Sequence, residues 1–222
     1  MELQPPNFAE KCGTVSRVRE MRIPSGELPD AKLEIFPVGI PLRFSEIFGN
    51  DLPVEMDLGS GRGKFLLETA KAFPERNFLG VERLLGRIRK TRRKAFHSDL
   101  ENLRVLRMEI DYTVRFLITK GTVSRFHLYF PDPWPKRRHH SRRVVDTEFF
   151  KAAWHGLADN GEFWIKTDHQ EYFNRIVKVV EQSNAWVTPV EWSDEGYGTT
   201  DFEDLFLSKK LPIYRLRLRK CS

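Results

Sequence analysis

Val54-Glu-Met-Asp-Leu-Gly-Ser-Gly-Arg-Gly-Lys64 gives the clearest indication of the fold class of this chain. Its largely apolar start predicts a buried strand over 54–58, and the glycines at 59, 61 and 63 predict a tight turn into a helix. A strand joined to a helix by a short glycine-rich turn begins a β-α-β unit, from which parallel sheets are built. We therefore expect an α/β protein whose ligand lies at the carboxyl end of this strand.

Strand and helix patterns continue to alternate along the rest of the chain. The predicted strands lie at 54–58, 78–81, 103–106, 123–130, 162–167, 186–192 and 214–219, and the predicted helices at 64–73, 83–96, 111–119, 146–157 and 169–182. This alternation indicates a doubly wound, mostly parallel sheet of seven strands with a Rossmann-like architecture. The preceding proline-rich residues, 1–50, predict an extended N-terminal arm with a short element at 42–48, so that the main domain would span 51–222.

Composition and charge restrict the class of protein further. With 40% hydrophobic and 12% aromatic residues among 222, the chain is typical of a globular protein rather than a disordered one. Its net charge of +6 is unevenly distributed, because basic residues are concentrated in two blocks, 87–94 and 136–143. Separate basic blocks of this kind indicate a surface that binds a polyanion such as a nucleic acid.

Other sequence features predict what the protein lacks. Cys12 and Cys221 are the only cysteines and lie near opposite ends, so neither a zinc site nor a disulfide framework is expected. No apolar run approaches the ~20 residues of a membrane-spanning helix, and the N-terminus has no apolar signal segment. We expect a soluble, cytoplasmic protein without a metal.

The glycine turn alone does not identify the ligand, so its neighbours have to be considered. A nucleotide P-loop is disfavoured because Leu58 replaces its first glycine and Phe65 replaces the hydroxyl residue after its lysine. A dinucleotide-binding turn has its third glycine one residue later than Gly63. S-adenosylmethionine fits better, since it has no pyrophosphate and its cationic sulfonium and amino groups favour carboxylates such as Asp57.

More acids follow at the next strand ends. Glu82 ends the second predicted strand, where a carboxylate can accept hydrogen bonds from both ribose hydroxyls. This acid argues against an NADP-dependent enzyme, which would have a basic residue there, although the adjacent Arg83 keeps that alternative open. After the third strand, either Glu109 or Asp111 could accept a hydrogen bond from the adenine amino group.

A second candidate site follows the fourth strand, in Tyr129-Phe-Pro-Asp-Pro-Trp-Pro-Lys-Arg-Arg-His-His-Ser-Arg-Arg143. The prolines on both sides of Asp132 restrict the backbone, so we expect its carboxylate to be held in an extended conformation at the strand end. The cations over 136–143 indicate a ligand that carries phosphates. Trp134 is predicted either to pack within the loop or to stack on a base.

These residues resemble those of the bacterial tRNA (guanine-N7-)-methyltransferases, a family of class I S-adenosylmethionine-dependent enzymes. The resemblance spans 53–215 and is most specific in Phe130-Pro-Asp-Pro-Trp-Pro-Lys136. It includes the glycine turn, Phe78-Leu-Gly-Val-Glu82, Lys166-Thr-Asp168 and Thr200-Asp-Phe-Glu203. The resemblance implies the class I fold, methyl transfer from S-adenosylmethionine to N7 of a guanosine in tRNA, and a monomer or homodimer.

The resemblance also implies roles for individual residues. Those implied at the cofactor are Asp57, Gly59, Gly61, Glu82 and Glu109. Asp132 would be the central acid of the catalytic site. Those implied at the target nucleoside are Lys136, Asp168, Thr200, Asp201, Phe202 and Glu203. The chain departs from the family at Asp57, where glutamate is usual, and at Glu109, where aspartate or asparagine is usual, so Asp111 stays a rival for the adenine contact.

Other classes of function stay open on the sequence alone. A methyltransferase of the same fold could act on a protein or a small molecule, but the basic blocks and the element at 200–203 favour RNA. A non-catalytic RNA-binding protein on a degenerate methyltransferase scaffold would have no reason to keep both the glycines and the acids. Binding of S-adenosylmethionine would distinguish such a protein from an enzyme.

Overall fold

One mostly parallel sheet organises the part of the chain that the computed structural model describes, which is residues 40–134, 138–139, 143–183 and 190–220. Its strands are β1 Val54–Leu58, β2 Asn77–Glu82, β3 Leu103–Arg107, β4 Val123–Tyr129, β5 Leu157–Thr167 and β6 Tyr214–Arg219. They are hydrogen-bonded in the order β3-β2-β1-β4-β5-β6, and β6 runs antiparallel to β5 while the other pairs are parallel. The order reverses between β1 and β4, as in a doubly wound fold, which confirms the predicted fold class.

Helices connect most of the strands. They are α1 Phe44–Phe48, α2 Lys64–Ala72, α3 Leu85–His97, α4 Ile110–Tyr112, α5 Thr147–Gly156, α6 Gln170–Ser183 and α7 Asp201–Ser208. The helix predicted at 111–119 is divided, because the short α4 continues as a π-helical turn over Thr113–Leu117. The sequence patterns do not predict α7, which begins within the motif at 200–203.

The seventh predicted strand, at 186–192, falls largely outside the described residues, which omit 184–189. The described sheet therefore has six strands instead of the predicted seven. Where the chain is described again, the N–H of Val190 donates to the carbonyl oxygen of Arg217 at 2.9 Å. The chain at Val190 thus lies against β6.

Apolar side chains pack on both faces of the sheet. The larger cluster includes Phe126 of β4, Phe149 of α5 and Ile176 of α6, so it fills the space between the sheet and these helices. A smaller cluster includes Leu66 of α2 and Ile88 of α3 and joins these helices to β2 and β3. Apolar burial of this extent is the main term that stabilises the domain.

The short element predicted at 42–48 corresponds to α1. Leu42, Phe44 and Phe48 are buried in the larger apolar cluster, and the N–H of Leu42 donates to the carbonyl oxygen of Leu117 at 2.8 Å. This end of the predicted arm is therefore packed on the core. Residues 1–39 lie outside the described residues, and the division of the chain at residue 51 stays a prediction.

One face of the sheet also carries a layer of charged side chains. On one face of the sheet, Glu55 of β1 lies beside Arg125 of β4, which in turn lies beside Glu162 of β5, because the strands pair in that register. Glu55 is fully buried, and one of its oxygens lies 2.8 Å from Nε2 of His127 while the other accepts from Arg76 at 2.6 Å. Burial alone would raise the pKa of Glu55, but His127, Arg125 and Arg76 lower it to about 2.

This charged layer fixes the irregular segment at 190–200 over the sheet. The hydroxyl of Tyr197 donates to Glu55 at 3.0 Å, and its ring lies 4.9 Å from that of Trp164 on β5. Nearby, the buried ammonium of Lys166 donates to Asp194 at 2.9 Å. Side-chain contacts therefore position the described part of the chain that leads into α7, although this part contains no regular strand or helix.

Gly63, at the end of the glycine turn, is expected not to tolerate a side chain. Its φ is 75°, and a Cβ there would lie 2.4 Å from Cγ2 of Thr91 on α3. Gly121 has a similar φ of 73° but open space around its Cβ position. Gly121→Ala should therefore cost about 1 kcal/mol of stability from backbone strain alone. Gly63→Ala should cost about 3 kcal/mol or more, because the steric clash is added.

Urea unfolding of both variants measures the difference directly. Adding Thr91→Ala to Gly63→Ala removes the two closest atoms and should recover part of the lost free energy of unfolding. Equal losses for Gly63→Ala and Gly121→Ala would contradict the close packing of the glycine turn against α3.

Candidate active site

The carboxyl ends of the five parallel strands meet at one edge of the sheet. The predicted site residues follow each other along this edge: Glu109 after β3, Glu82 at the end of β2, the glycine turn after β1, Asp132 after β4 and Asp168 after β5. Doubly wound proteins bind ligands where the strand order reverses, which here is the crevice between β1 and β4. The fold thus puts the predicted cofactor residues on one side of the crevice, and Asp132 and Asp168 on the other.

The glycine turn is held against β2 and against the chain that follows β3. The N–H groups of Gly59 and Ser60 both donate to the carbonyl oxygen of Val81, at 2.9 and 3.0 Å. Gly59 has a φ of 92°, which other residues rarely adopt, and a Cβ there would lie 3.3 Å from Ile110. Because Gly59 is also exposed, the turn offers bare backbone that a ligand can approach closely.

Asp57 and Glu82 form a pair of buried carboxyl groups beside this turn, with 5% and 7% exposure. Burial, together with the nearby charge of Glu82, raises the pKa of Asp57 to about 7. Glu82 accepts hydrogen bonds at 2.8 Å from the N–H groups of Arg83 and Leu84, and the guanidinium of Arg87 lies 3.3 Å from its other oxygen. A negative charge on both carboxyl groups would exceed what Arg87 balances, so this side of the crevice suits a cationic ligand with hydroxyl groups.

The two acids that were rivals for an adenine contact have different surroundings. Asp111 accepts from Nε of Arg115 at 2.6 Å, and the same guanidinium binds both oxygens of Asp146 at 2.8 and 2.9 Å. Glu109 is exposed and lies 3.6 Å from Arg83, the residue after Glu82. This arrangement favours Glu109 over Asp111 as the more available acceptor beside the cofactor side of the crevice.

The loop that carries Asp132 has an unusual backbone. Phe130 and Trp134, on either side of the Pro-Asp-Pro segment, have φ values of 51° and 41°, which non-glycine residues adopt rarely. The N–H of Phe130 donates to the carbonyl oxygen of Lys166 on β5 at 2.7 Å. Such conformations persist where the surroundings enforce them, and they are concentrated at functional sites. The side chain of Asp132 is exposed, so a fixed backbone presents an accessible carboxylate.

Arg143 holds the loop from the other side and corrects the interpretation of the basic run at 136–143. Its side chain is 2% exposed, its Nε donates to the carbonyl oxygen of Pro133 at 2.7 Å, and its guanidinium lies 5.0 Å from the ring centre of Tyr172. The buried guanidinium needs acceptors, and the carbonyl oxygen of Pro133 supplies one. This cation therefore supports the Asp132 loop and is not a surface phosphate ligand.

The rest of the basic run is described only in part. Lys136, implied at the nucleoside, lies among residues 135–137, which are outside the described residues, as are 140–142. Trp134 is half-buried, and its ring meets that of His139 edge-on at 5.6 Å between centres. Trp134 thus packs within the loop, and stacking of its ring on a base stays a prediction.

The motif at 200–203 forms the start of α7. Thr200 is the N-cap and accepts from the N–H of Glu203 at 2.9 Å. Asp201 and Phe202 are exposed, and the ring of Phe202 lies 6.2 Å from that of Phe130 in the Asp132 loop. The helix therefore begins next to the predicted catalytic loop, with two of its implied substrate residues open to solvent.

Glu203 has a different environment from its neighbours in the motif. Its carboxylate is 3% exposed and accepts from Nζ of Lys166 at 2.8 and 2.7 Å, with Arg215 at 3.4 Å. In this structure Glu203 anchors α7 to β5 and β6, and its implied contact with the nucleoside stays a prediction. Asp168, just beyond the end of β5, is exposed.

Several residues that build the site have no clear functional signal in the sequence. Lys166 lies within one of the motifs, but its partners Asp194 and Glu203 are distant in the chain, so their pairing cannot be read from the pattern. Arg143 is hidden among other cations. Lys64 does have a signal, because a lysine at the first position of a helix opposes the helix dipole and calls for a tertiary partner.

Two other kinds of feature are absent from the described ranges. Among these residues, no group of three or more His, Cys, Asp or Glu side chains is arranged to hold a metal ion. None of the helices described above combines the length and the apolar character required to cross a membrane.

Comparisons with known proteins identify relatives of this chain. The sequence model of a family described as "Putative methyltransferase" matches residues 51–216. The chain is 35% identical over 182 residues to a protein of Geobacillus sp. (strain WCH70) named tRNA (guanine-N(7)-)-methyltransferase. That alignment covers 80% of this chain and 82% of the relative.

Solved structures share the fold at much lower sequence identity. The 16S rRNA methyltransferase KamB has a TM-score of 0.58 at 14% identity, over 81% of this chain and 93% of KamB. A putative methyltransferase from Streptococcus mutans, solved in complex with SAH, has a TM-score of 0.52 at 9% identity, over 77% of this chain and 90% of its own. These likenesses establish the fold alone. Sequence identity and coverage show more: the chain belongs to the family of tRNA (guanine-N7-)-methyltransferases.

Proposed function

We propose that this protein transfers a methyl group from S-adenosylmethionine to N7 of a guanosine in tRNA. The observation that carries the proposal is that two unlike groups of residues follow the strands on either side of the point where the strand order reverses. One side has the buried acids Asp57 and Glu82 beside a glycine turn, and the other has the exposed carboxylate of Asp132 on a constrained loop. Membership of the family supports both the reaction and the substrate.

The residues on the side of β1, β2 and β3 fit S-adenosylmethionine. When bound, this cofactor supplies an electrophilic methyl group on a cationic sulfonium. Asp57 and Glu82 offer negative charge to its cationic groups, and Glu82 would accept hydrogen bonds from the ribose hydroxyls. Gly59 and Gly61 allow close approach to the backbone, and Glu109 would accept from the adenine amino group.

The residues on the other side would hold the guanine. Its N7 has a free lone pair and no proton to lose, so no general base is needed for the methyl step. The protein therefore acts by positioning the base and by electrostatics. Asp132 would accept hydrogen bonds from N1–H and the exocyclic amino group, and its charge would stabilise the purine as it becomes cationic. Asp168 and Phe202, both exposed nearby, would complete the contacts with the nucleoside.

The exposed face of α3 supports a polyanionic partner. Ile88, Thr91 and Ala95 are the buried residues of this helix. Its exposed basic residues are Arg87, Arg89, Lys90, Arg93 and Lys94. Because α3 follows Glu82, RNA phosphates bound there would lie beside the cofactor side of the crevice. A structured RNA loop, whose bases can be turned outward, fits a site that must reach N7 of a single guanine.

The proposed partner also suggests where the protein works. We propose the cytoplasm, because that compartment holds the tRNA on which the enzyme would act. Whether the protein is a monomer or a homodimer stays a prediction. A non-catalytic RNA-binding role is less well supported, because RNA binding alone does not require the glycine turn and the buried acid pair.

Asp57 should make cofactor binding depend on pH. With a pKa of about 7, its carboxyl group is mostly neutral below that pH and mostly charged above it. A cationic ligand favours the charged form, so the affinity for S-adenosylmethionine should rise with pH through this range and then level off. On the acid side, the affinity should fall by up to about tenfold for each pH unit.

Calorimetric titration of wild type and Asp57→Asn over about two pH units around neutrality tests this expectation. The amino group of the ligand titrates equally in both experiments, so the difference between the two curves isolates Asp57. We expect a flatter curve for the variant. Parallel curves would show that Asp57 does not titrate at the cofactor.

Asp132→Asn removes the charge from the loop but keeps the size of the side chain. We expect kcat with tRNA to fall by about 100-fold or more, because electrostatic stabilisation is lost. The Kd for S-adenosylmethionine should change by less than about twofold, because Asp132 lies on the other side of the crevice. Asp159→Asn is the matched control, since Asp159 is exposed near the opposite end of β5. Normal turnover of the Asp132 variant would contradict the assigned role.

A further inference from the structure

Lys64 is the first residue of α2 and follows the glycine turn directly. The helix dipole disfavours a cation at this position, and contacts with acidic and hydroxyl groups offset this unfavourable energy. Its ammonium lies 3.0 Å from Asp204 of α7 and 3.1 Å from Glu68 of its own helix, and it also donates to the hydroxyl of Thr199. Lys64 therefore extends from the cofactor side of the crevice to the helix that carries the implied substrate residues.

Thr199 and Asp204 are themselves joined. The hydroxyl of Thr199 donates to Asp204 at 2.7 Å, so Lys64, Thr199 and Asp204 form a closed set of contacts. The pKa of Asp204 is lowered by the hydrogen bonds from Thr199 and Lys64. The cation thus contacts both the first turn of α7 and the residue just before its N-cap.

The backbone before α7 also lies close to α2. The N–H of Thr199 donates to Glu68 at 3.1 Å, and the N–H of Gly198 donates to the hydroxyl of Thr69 at 3.1 Å. A Cβ on Gly198 would lie 2.6 Å from Cβ of Glu68 and 3.0 Å from the carbonyl oxygen of Phe65. This proximity means that a displacement of the start of α2 would be transmitted to the start of α7.

We propose that Lys64 is a positioning residue that sets the location of α7 relative to the cofactor turn, and so aligns the guanosine with the methyl donor. The proposal rests on the function proposed above, because Thr200, Asp201 and Phe202 matter only if they contact the target nucleoside. Alignment is a sensitive quantity, since a displacement of ~1 Å at a reacting centre can cost about 100-fold in rate. The side chain of Lys64 is 28% exposed, and partly exposed ion pairs contribute little to overall stability. A loss of alignment should therefore be visible without unfolding.

Lys64→Met tests the proposal, with Lys71→Met as the matched control, because Lys71 is an exposed lysine in the last turn of the same helix. We expect the Lys64 variant to lose about tenfold or more in kcat with tRNA. Its Kd for S-adenosylmethionine and its Tm should stay close to those of the control. Lys64→Arg keeps a cation that can reach Asp204, and it should restore most of the rate.

Asp204→Asn tests the other end of the contact. If Lys64 acts through Asp204, the double variant Lys64→Met/Asp204→Asn should be no slower than the slower of the two single variants. Hydrogen exchange of the amides at 199–204 gives a readout that is independent of activity. We expect exchange there to be about tenfold faster in Lys64→Met than in Lys71→Met.

Several results would overturn the proposal. One is equal kcat and equal hydrogen exchange for Lys64→Met and Lys71→Met. Another is a Lys64→Met variant that loses only affinity for S-adenosylmethionine. The third is a double variant whose loss in kcat is the product of the two single losses. Formation of 7-methylguanosine by the wild type is measured in the same assays. If the wild type forms none, the proposed function fails, while the exchange data still decide whether Lys64 positions α7.

Discussion

The parallel pairing of β1 with β4 fixes where both halves of the site leave the sheet. Met56 lies opposite Phe126, and Asp57 lies opposite His127, so the turn after β1 and the loop after β4 must leave the sheet side by side. Met56 packs in the larger apolar cluster, whereas its neighbour Glu55 points into the charged layer. A slip of one residue would exchange these faces and bury the carboxylate among apolar side chains, so the register is strongly specified.

The same register matches opposite charges from strand to strand. Glu162 on β5 is contacted by Arg125 at 3.3 Å, Arg217 at 2.9 Å and Arg219 at 2.8 Å. Burial raises its pKa, but the hydrogen bonds from Arg217, Arg219 and Trp164 and the charge of Arg125 lower it to about 2. Removing one partner from such a layer lowers the free energy of unfolding by more than the ion pair contributes to it, because a buried charge is left without a partner. The segment before α7 is fixed over this layer by the hydrogen bond from Tyr197 to Glu55 and by the ion pair of Lys166 with Asp194.

The sequence predicts well those features that depend on local pattern. The alternation of apolar residues and glycine turns predicts β1 to β5 and their helices, and the carboxyl ends of these strands place Asp57, Glu82 and Asp132 at one edge, as observed. Contacts between distant residues are not visible in that way. The inward orientation of Arg143 and the burial of Glu203 both depend on partners that only the folded chain brings near. The helix α7 is missed because its buried residue is the charged Glu203, whereas Phe202, Leu205 and Leu207 are open to solvent. Its apolar residues therefore do not mark the face that packs on the core.

Transfer of labelled methyl groups from S-adenosylmethionine to unmodified tRNA, followed by digestion to nucleosides, measures the reaction and identifies the acceptor base together. We expect the label in 7-methylguanosine. Label in another nucleoside would contradict the assignment of guanine N7 as the acceptor. Absence of transfer, with both S-adenosylmethionine and tRNA bound, would contradict the assigned function altogether.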